Sequence, residues 1–292
     1  MQKMTWIGIG IMGQAMAGHL LKAGYPLTIT TRTKAKALSL IQAGAVWQDT
    51  IAEAVKDADV VFTMVGTPQD VNDVYLGENG IFANVKPGTI TIDMTTSSPQ
   101  VAQQLTQTAL KYKVSVLDAP VSGGDTGAQA ATLLIMVGGD YQVYERIHPI
   151  LEVMGKHIFY MGPSGSGQQT KMANQIAVAG SLAATTEAIV YAKMVGLDPA
   201  KVVEAIAFGS GASAHLTNTA PKIIAEDYRP GFYIKHFVKD MSIAKVEMDR
   251  YGIDFPMMSH VLEMYQDLLN EGDAELGTQA LIKHYQHSSK TK

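Results

Sequence analysis

No cysteine occurs among the 292 residues of this chain. Disulfide bonds, thiolate catalysis and cysteine-ligated metals are therefore excluded, and the composition fits a reducing compartment. The sequence also lacks any run of 18 uncharged apolar residues, so no membrane-spanning helix is predicted. An apolar strand pattern begins by Met4 and leaves no room for a signal peptide ahead of it. Together these absences predict a soluble cytoplasmic protein.

Charge is also scarce. Charged residues make up 17% of the chain, the net charge is −4, and no block of lysine and arginine stands out. A nucleic-acid surface is not expected from such a balance. The eight histidines form no H-E-x-x-H or other metal spacing, and the G-x-S-x-G motif of serine hydrolases is missing. The sequence therefore predicts no metal centre and no nucleic-acid or membrane partner.

Two kinds of pattern divide the chain. Up to about residue 161, short β-branched runs alternate with helical patterns, which is typical of a parallel sheet covered by helices. After Gly167 only helical patterns remain. We predict domains at 1–162 and 163–292, and we expect the long apolar helix that joins them to be buried on most sides. The predicted strands are 4–9, 27–31, 60–65, 89–94, 114–118, 133–137 and 157–160, and the later helices are about 168–195, 200–208, 221–225, 232–251 and 256–270.

Several helix starts carry their own chemistry. Thr67-Pro68, Ser98-Pro99 and Asp198-Pro199 each place an N-cap oxygen before a proline at the first helical position. The last seven residues, 286–292, are polar and are predicted to fray.

The first strand runs directly into a glycine motif and then into a helix. The pattern G-x-G-x-x-G permits a tight turn at its first glycine, close approach of a pyrophosphate at its second and helix packing at its third. The pyrophosphate would then rest on the helix N-terminus. We predict a doubly wound α/β Rossmann domain that binds a dinucleotide, followed by an all-α domain; the alternative is a glycine turn without a ligand. The motif comprises Gly8, Ile9, Gly10, Ile11, Met12 and Gly13.

The residues after the second strand bear on the choice of dinucleotide. An NAD site carries Asp or Glu about twenty residues after the glycine motif to hold the ribose 2′-hydroxyl. This chain has Thr31, Arg32 and Thr33 there, with no carboxylate among them. The guanidinium fork of arginine matches the oxygens of a 2′-phosphate. NADP is therefore predicted over NAD, and the alternative is a surface arginine that never contacts the cofactor.

Two later strands end in polar residues that could face a substrate. Ser122, Gly123 and Gly124 expose a hydroxyl and consecutive backbone amides, which suit a small carboxylate. A glycine-rich turn without a ligand is an equally good interpretation of that segment. After the fourth strand, Thr95 and Thr96 could face the same crevice, because Ser98 is better explained as a helix cap.

The start of the long helix carries a lysine and an asparagine one turn apart. Lys171 and Asn174 share one helix face, and almost nothing charged follows before Glu187. Apolar walls of this kind lower the pKa of an amine toward the range of proton transfer, as a general acid for a carbonyl oxygen requires. An isolated K-x-x-N is more often a solvated lysine. Lys239 lies on another predicted helix, beside Asp240, and either contacts ligand or forms a helix surface pair.

With these motifs in view, the chain resembles the β-hydroxyacid dehydrogenase family, which includes 3-hydroxyisobutyrate dehydrogenase and tartronate semialdehyde reductase. The likeness extends over nearly the whole chain. It rests on four motifs in order: Ile7 to Gly13 with Met16, Asp118 to Gly124, Gly165-x-Gly167-x-x-x-Lys171-x-x-Asn174, and Lys239-Asp240.

The resemblance implies roles for individual residues. Lys171 is then the catalytic lysine and Asn174 orients the substrate, while Ser122, Gly123 and Gly124 hold the substrate carboxylate. Lys239 lies near the nicotinamide pocket, and Thr95 and Val65 contact the cofactor. Thr31-Arg32-Thr33 answers to the NADP form of the family's second-strand signature. Two departures are Ala131, where many members have glycine, and Val65-Gly66-Thr67-Pro68, which replaces a commoner Leu-Pro.

The expected activity is interconversion of a small 3-hydroxy acid and its semialdehyde, with hydride transfer at the nicotinamide and Lys171 as general acid or base. One alternative is a reductase of another small carbonyl or of an imine, although related imine reductases usually lack the lysine. The other is a non-catalytic NADP sensor. The long buried helix predicts a homodimer or homotetramer.

Overall fold

The computed structural model describes residues 2–288, and the elements below belong to that range. Nine strands form one sheet in the order β3-β2-β1-β4-β5-β6-β8-β7, with β9 paired to β8. The strands are β1 Met4–Ile7, β2 Leu27–Thr30, β3 Val46–Trp47, β4 Val60–Thr63, β5 Ile90–Asp93, β6 Ser115–Asp118, β7 Val121–Ser122, β8 Leu133–Gly139 and β9 Gly155–Gly162.

The first six strands are parallel, and their order reverses between β1 and β4. This reversal is the topological switch point of a doubly wound sheet, and ligands bind at the carboxyl ends of the strands beside it. The predicted Rossmann fold is confirmed. The sheet is not parallel throughout, because β8 runs antiparallel to β6 and β7.

All seven predicted strands are present, with ends shifted by a few residues. β3 and β7 were not predicted, since two residues are too few to show an alternating pattern. The helices of the first part are α1 Ile11–Lys22, α2 Leu38–Gln42, α3 Ile51–Val55, α4 Pro68–Leu76, α5 Ile81–Asn84, α6 Pro99–Ala109, α7 Gly124–Gln129 and α8 Tyr141–Leu151.

From residue 166 onward the structure is helical, as predicted. The five predicted helices are present, and α11 and α15 are additional short ones. The end predicted to fray begins within α15 at 286–288, and its remainder, 289–292, lies outside the described residues. The helices are α9 Ser166–Met194, α10 Pro199–Ile206, α11 Ala214–Asn218, α12 Ala220–Ile224, α13 Ile234–Tyr251, α14 Pro256–Asn270 and α15 Ile282–Ser288.

The three predicted N-caps form as the sequence indicates. The Thr67 hydroxyl accepts the Asp70 N–H, Ser98 accepts from Val101, and Asp198 accepts from Ala200. Each satisfies an amide that the first helical turn leaves without a partner. These caps fix where α4, α6 and α10 begin.

Side chains that alternate along the strands build two cores, one on each face of the sheet. Trp6 and Phe62 stack at 5.3 Å in one core, and Ile7 and Val61 belong to the other. A separate core lies among the later helices, where Phe237 packs edge-on against Tyr265. The two cores of the sheet therefore share the same strands, whereas the third core is built from a separate stretch of chain.

The chain divides into two compact units, 1–171 and 172–292, so the long helix α9 begins in the first unit and continues into the second. The sequence boundary at 162/163 stays a prediction. One side of α9 is exposed in the single chain, where Tyr191 and Met194 are 65% and 80% exposed. Within residues 2–288, no helix has the length and apolarity to cross a bilayer.

Candidate functional site

The three glycines of the first motif differ in what surrounds them. Gly8 has a φ of +98°, and a Cβ on it would lie 2.2 Å from the Met64 carbonyl oxygen. A Cβ on Gly13 would lie 2.1 Å from the Gly8 carbonyl oxygen, so α1 packs on the end of β1 only with glycine there. A Cβ on Gly10 would meet nothing within 4 Å, and its backbone is extended with a φ of −89°. The fold itself therefore requires Gly8 and Gly13 but leaves open space at Gly10.

The Gly10→Ala variant separates a ligand site from a plain turn. We expect an unchanged thermal midpoint, because the added methyl contacts no protein atom. We expect the affinity for the dinucleotide to fall about tenfold or more, since the methyl would occupy the space where a pyrophosphate approaches the backbone. Calorimetric titration with NADP and NAD, with thermal unfolding in parallel, measures both. Unchanged affinity for both dinucleotides would show that this turn binds neither.

Arg32 does not stand apart from carboxylates, contrary to the expectation from the local sequence. Its guanidinium lies 3.1 Å from the Asp70 carboxylate on α4, a residue 38 positions away in the chain. The side chain of Arg32 is nevertheless 86% exposed. Thr31 is half-buried and Thr33 is exposed, and Lys36, which sequence analysis passed over, adds an exposed cation one turn later. The cluster after β2 thus keeps accessible positive charge beside one carboxylate.

A buried network connects the ends of β4 and β5. The Thr95 hydroxyl accepts the Val65 N–H at 3.0 Å, and Asp93 accepts the Thr95 N–H at 3.1 Å and the Thr63 hydroxyl at 2.8 Å. Burial raises the pKa of Asp93 to about 6. The nearby charge of Asp118 also raises this pKa, whereas the hydrogen bonds from Thr95 and Thr63 lower it. Val65 and Thr95, both predicted cofactor contacts, are thus held together. The Thr95 side chain is buried, and its contact with cofactor stays a prediction.

Asp118, at the end of β6, binds the first turn of α9. Its carboxylate accepts the Gly165 N–H at 2.8 Å and the Gln168 N–H at 2.9 Å. Burial raises the pKa of Asp118, while these amide hydrogen bonds oppose the shift. A carboxylate at a helix N-terminus also interacts favourably with the helix dipole. Strand β6 therefore fixes where α9 begins.

Gln168 fixes the same turn to the loop after β5. It is fully buried, its side-chain oxygen accepts the Ser97 N–H at 3.0 Å, and its side-chain nitrogen donates to the Thr95 carbonyl at 2.8 Å. Lys171 follows one turn later and is only 6% exposed. The sequence pattern indicated Lys171 but not Gln168, because nothing local shows that the Gln168 amide satisfies two backbone groups of a distant loop. Lys171 therefore follows a helix turn that is held by the end of β6 and by the loop after β5.

The segment predicted to hold a carboxylate also has the backbone that its glycines suggest. Ser122 is half-buried in β7, which pairs with β8, and Gly123 and Gly124 have φ angles of +133° and +64°. Ala131, where the resemblance expects glycine, has a φ of +56°. Glycine adopts that left-handed conformation without strain, whereas alanine costs about 1 kcal/mol. Ala131 therefore adopts, at a small energetic cost, a conformation that glycine adopts freely.

Two predicted residues belong to the second unit and are linked there by a chain of polar contacts. Asn174 donates to the Gln175 side-chain oxygen at 2.8 Å, Gln175 donates to Asp240 at 2.8 Å, and the Lys239 ammonium lies 2.9 Å from Asp240. Gln175 and Asp240 are both buried. The sequence patterns indicated Asn174 and Lys239 separately and gave no sign of Gln175, which connects them through Asp240. The roles of Asn174 and Lys239 in ligand binding stay predictions.

His236 lies on the helix that carries Lys239. Burial lowers its pKa, and the nearby charges of Lys239 and Lys235 lower it further. Among residues 2–288 no group of three or more His, Asp or Glu side chains is arranged to hold a metal ion. The candidate site residues offer backbone amides, hydroxyls, side-chain amides, ammonium groups and the Arg32 guanidinium.

Comparison with known protein families accounts for almost the whole chain. Residues 3–162 match the NAD binding domain of 6-phosphogluconate dehydrogenase, and residues 165–285 match the NAD-binding domain of NADP-dependent 3-hydroxyisobutyrate dehydrogenase. The chain belongs to the β-hydroxyacid dehydrogenase family. It is an oxidoreductase of that family, with a domain for a nicotinamide dinucleotide.

Three relatives of this β-hydroxyacid dehydrogenase illustrate the similarity. The 2-hydroxy-3-oxopropionate reductase of Escherichia coli is 35% identical, with 96% of each chain covered. The NAD-dependent L-serine dehydrogenase of Pseudomonas aeruginosa is 36% identical, over 94% of this chain and 95% of the relative. The solved structure of Mycobacterium tuberculosis 3-hydroxyisobutyrate dehydrogenase with L-serine is 31% identical, superposes with a TM-score of 0.88, and covers 97% of this chain and 98% of that one.

Proposed function

We propose that this protein is an NADP-dependent dehydrogenase that interconverts a small 3-hydroxy acid and its semialdehyde. The observation that carries the proposal is the placement of Lys171. Its side chain is 6% exposed, one turn after a helix start that Asp118 and Gln168 hold against the ends of β5 and β6. A buried ammonium at that position suits proton transfer to a carbonyl oxygen.

Each proposed residue has a distinct task. When bound, the nicotinamide dinucleotide supplies or accepts the hydride. In the reducing direction the Lys171 ammonium donates a proton to the oxygen of the substrate carbonyl, and in the oxidising direction the neutral amine takes that proton back. Asn174 orients the reacting oxygen, while Ser122 with the amides of Gly123 and Gly124 binds the carboxylate. Lys239 contacts ligand near the nicotinamide.

The substrate class is supported by the names of the relatives. Hydroxyisobutyrate, L-serine and 2-hydroxy-3-oxopropionate each carry a carboxylate and, two carbons away, the alcohol or aldehyde carbon that reacts. One distance between carboxylate site and proton donor would therefore serve all three. We propose a substrate with this spacing and a small substituent on the middle carbon.

The cofactor proposal rests on the region after β2. Arg32 is exposed with hydroxyls on either side, and Gly10 leaves open space where a pyrophosphate would lie. The match of residues 165–285 to an NADP-dependent family also favours NADP. The Pseudomonas relative is named as NAD-dependent, so we include NAD as the weaker substrate.

We propose a cytoplasmic homo-oligomer, either a dimer or a tetramer. Large apolar side chains that stay exposed on the second unit support association, because such surface is costly to leave in water. They include Tyr191, Met194 and Phe208, which is 91% exposed.

Oxidation of NADPH, followed at 340 nm, tests the proposal. The substrate panel contains tartronate semialdehyde and methylmalonate semialdehyde, matched aldehydes without a carboxylate, and small imines, each with NADPH and with NADH. We expect turnover with NADPH and the carboxylate-bearing aldehydes, and little with the matched aldehydes. Turnover confined to imines would replace the proposal by imine reduction. Tight NADPH binding without turnover would point to a sensor.

A further inference from the structure

The Asp70 carboxylate lies beside the Arg32 guanidinium, which is proposed to bind the 2′-phosphate. Arg32 and Asp70 are 3.1 Å apart, and their side chains are 86% and 25% exposed. An exposed ion pair of this kind contributes little to the stability of the protein, so an arriving phosphate can displace it. The carboxylate itself cannot move far, however, as its other contacts show.

The geometry around α4 holds the Asp70 carboxylate in place. One carboxylate oxygen accepts the Thr67 hydroxyl at 2.8 Å, and the Asp70 N–H donates back to that hydroxyl at 3.1 Å. A Cβ on Gly66 would lie 2.8 Å from the same carboxylate. Any other residue at position 66 would therefore crowd Asp70 away. The unusual Val65-Gly66-Thr67-Pro68 segment thus makes room for a carboxylate that the start of α4 then holds.

We propose that Asp70 is a specificity-determining residue that weakens the preference of this enzyme for NADP over NAD. Its charge repels a 2′-phosphate on Arg32 and occupies part of the guanidinium, whereas a ribose 2′-hydroxyl meets no such repulsion. The inference rests on the proposed function, because it needs Arg32 to bind the phosphate.

Asp70→Asn is the informative variant. Asparagine keeps an oxygen that can accept from Thr67, so the cap of α4 is preserved while the charge is removed. We expect kcat/KM for NADPH to rise about threefold to tenfold, with the value for NADH within twofold. Binding of 2′,5′-ADP, which carries the phosphate without the nicotinamide, should tighten by the same factor in calorimetry, and binding of ADP should not change. Potassium chloride should shrink the gain, because salt screens exposed charges.

Asp73→Asn is the matched control. Asp73 lies one turn further along α4, is exposed, and contacts Gln69 at 2.7 Å rather than Arg32. The Asp73→Asn variant removes the same charge from the same helix. Because Asp73 does not contact Arg32, this variant should leave the ratio of kcat/KM for NADPH to kcat/KM for NADH unchanged. An equal gain in both variants would mean a general charge effect and would overturn the specific role of Asp70.

Arg32→Ala distinguishes failure of this inference from failure of the cofactor proposal. If Arg32→Ala weakens 2′,5′-ADP binding and Asp70→Asn changes nothing, Arg32 binds the phosphate and Asp70 does not oppose it. If Arg32→Ala itself leaves 2′,5′-ADP binding intact, the assignment of Arg32 is wrong and the inference fails with it. Weaker 2′,5′-ADP binding in Arg32→Ala together with tighter binding in Asp70→Asn would support both the role of Arg32 and the role of Asp70.

Discussion

Replacing Lys171 by alanine is expected to lower kcat by about 10²-fold to 10⁴-fold, the contribution of a positioned general acid. Binding of NADPH should stay within twofold, because Lys171 is assigned to the reacting oxygen and not to the dinucleotide. An interaction made in the transition state lowers kcat and kcat/KM together, whereas loss of simple substrate binding raises KM. Steady-state kinetics with the best aldehyde of the panel measures the split.

Lys171→Met and Lys193→Met control for packing and for loss of a lysine. Lys171 is buried, so alanine also leaves a cavity, whereas methionine keeps most of the side-chain volume. Lys193 lies near the end of the same helix and is exposed. Equal losses in Lys171→Ala and Lys171→Met, with full activity in Lys193→Met, would assign the effect to the ammonium. Near wild-type turnover in Lys171→Met would refute the assignment.

The second large effect is expected from Gly167→Ala, one residue before Gln168. A Cβ at this position would lie 2.4 Å from the Met136 carbonyl oxygen and 2.6 Å from that of Asp118. Both atoms are strand backbone, so the start of α9 must move. We expect kcat to fall at least about tenfold, because a shift of about 1 Å at a catalytic group can cost 10²-fold. The free energy of unfolding should fall by about 1–3 kcal/mol from overpacking.

Gly180→Ala is the control on the same helix. A Cβ on Gly180 would lie 3.7 Å from the nearest atom, a Met257 side-chain carbon, which is ordinary contact. Alanine in a helix interior is about 0.5–1 kcal/mol more favourable than glycine, so this variant should be as stable as wild type or more so. Thermal unfolding and kcat are measured for both variants. If Gly167→Ala retained full activity, the exact position of the helix start would not matter for catalysis.

The glycine motif after β1 shows what local sequence can indicate about function. The position of Gly8-x-Gly10-x-x-Gly13 between a strand and a helix predicted a nucleotide turn, and the family match supports that interpretation. The sequence does not tell which of these glycines the fold needs. The structure shows that a Cβ on Gly8 or Gly13 would collide with backbone, so the fold needs both glycines. A Cβ on Gly10 would meet nothing within 4 Å, so the fold does not need that glycine.

Residues that act through distant partners were the ones that sequence reasoning missed. Asp70 reaches Arg32 across 38 positions, and Gln168 reaches the Thr95 carbonyl across 73. Neither has a local signature, because an aspartate in the first turn of a helix and a glutamine near a helix start are both common. Gln175 is a third case, since its contact with Asp240 spans 65 positions.

The sequence by itself determined the seven predicted strands, the helical part that follows them, the caps of α4, α6 and α10, and the position of Lys171 near the start of α9, because these depend on neighbours a few positions away. The tertiary structure alone decided that β8 runs antiparallel, that a carboxylate faces Arg32, and that Asp118 and Gln168 hold the turn before Lys171. Those features arise where the fold brings segments that are distant in the chain within hydrogen-bond distance. The residue pattern of one segment does not identify the distant segment that it contacts.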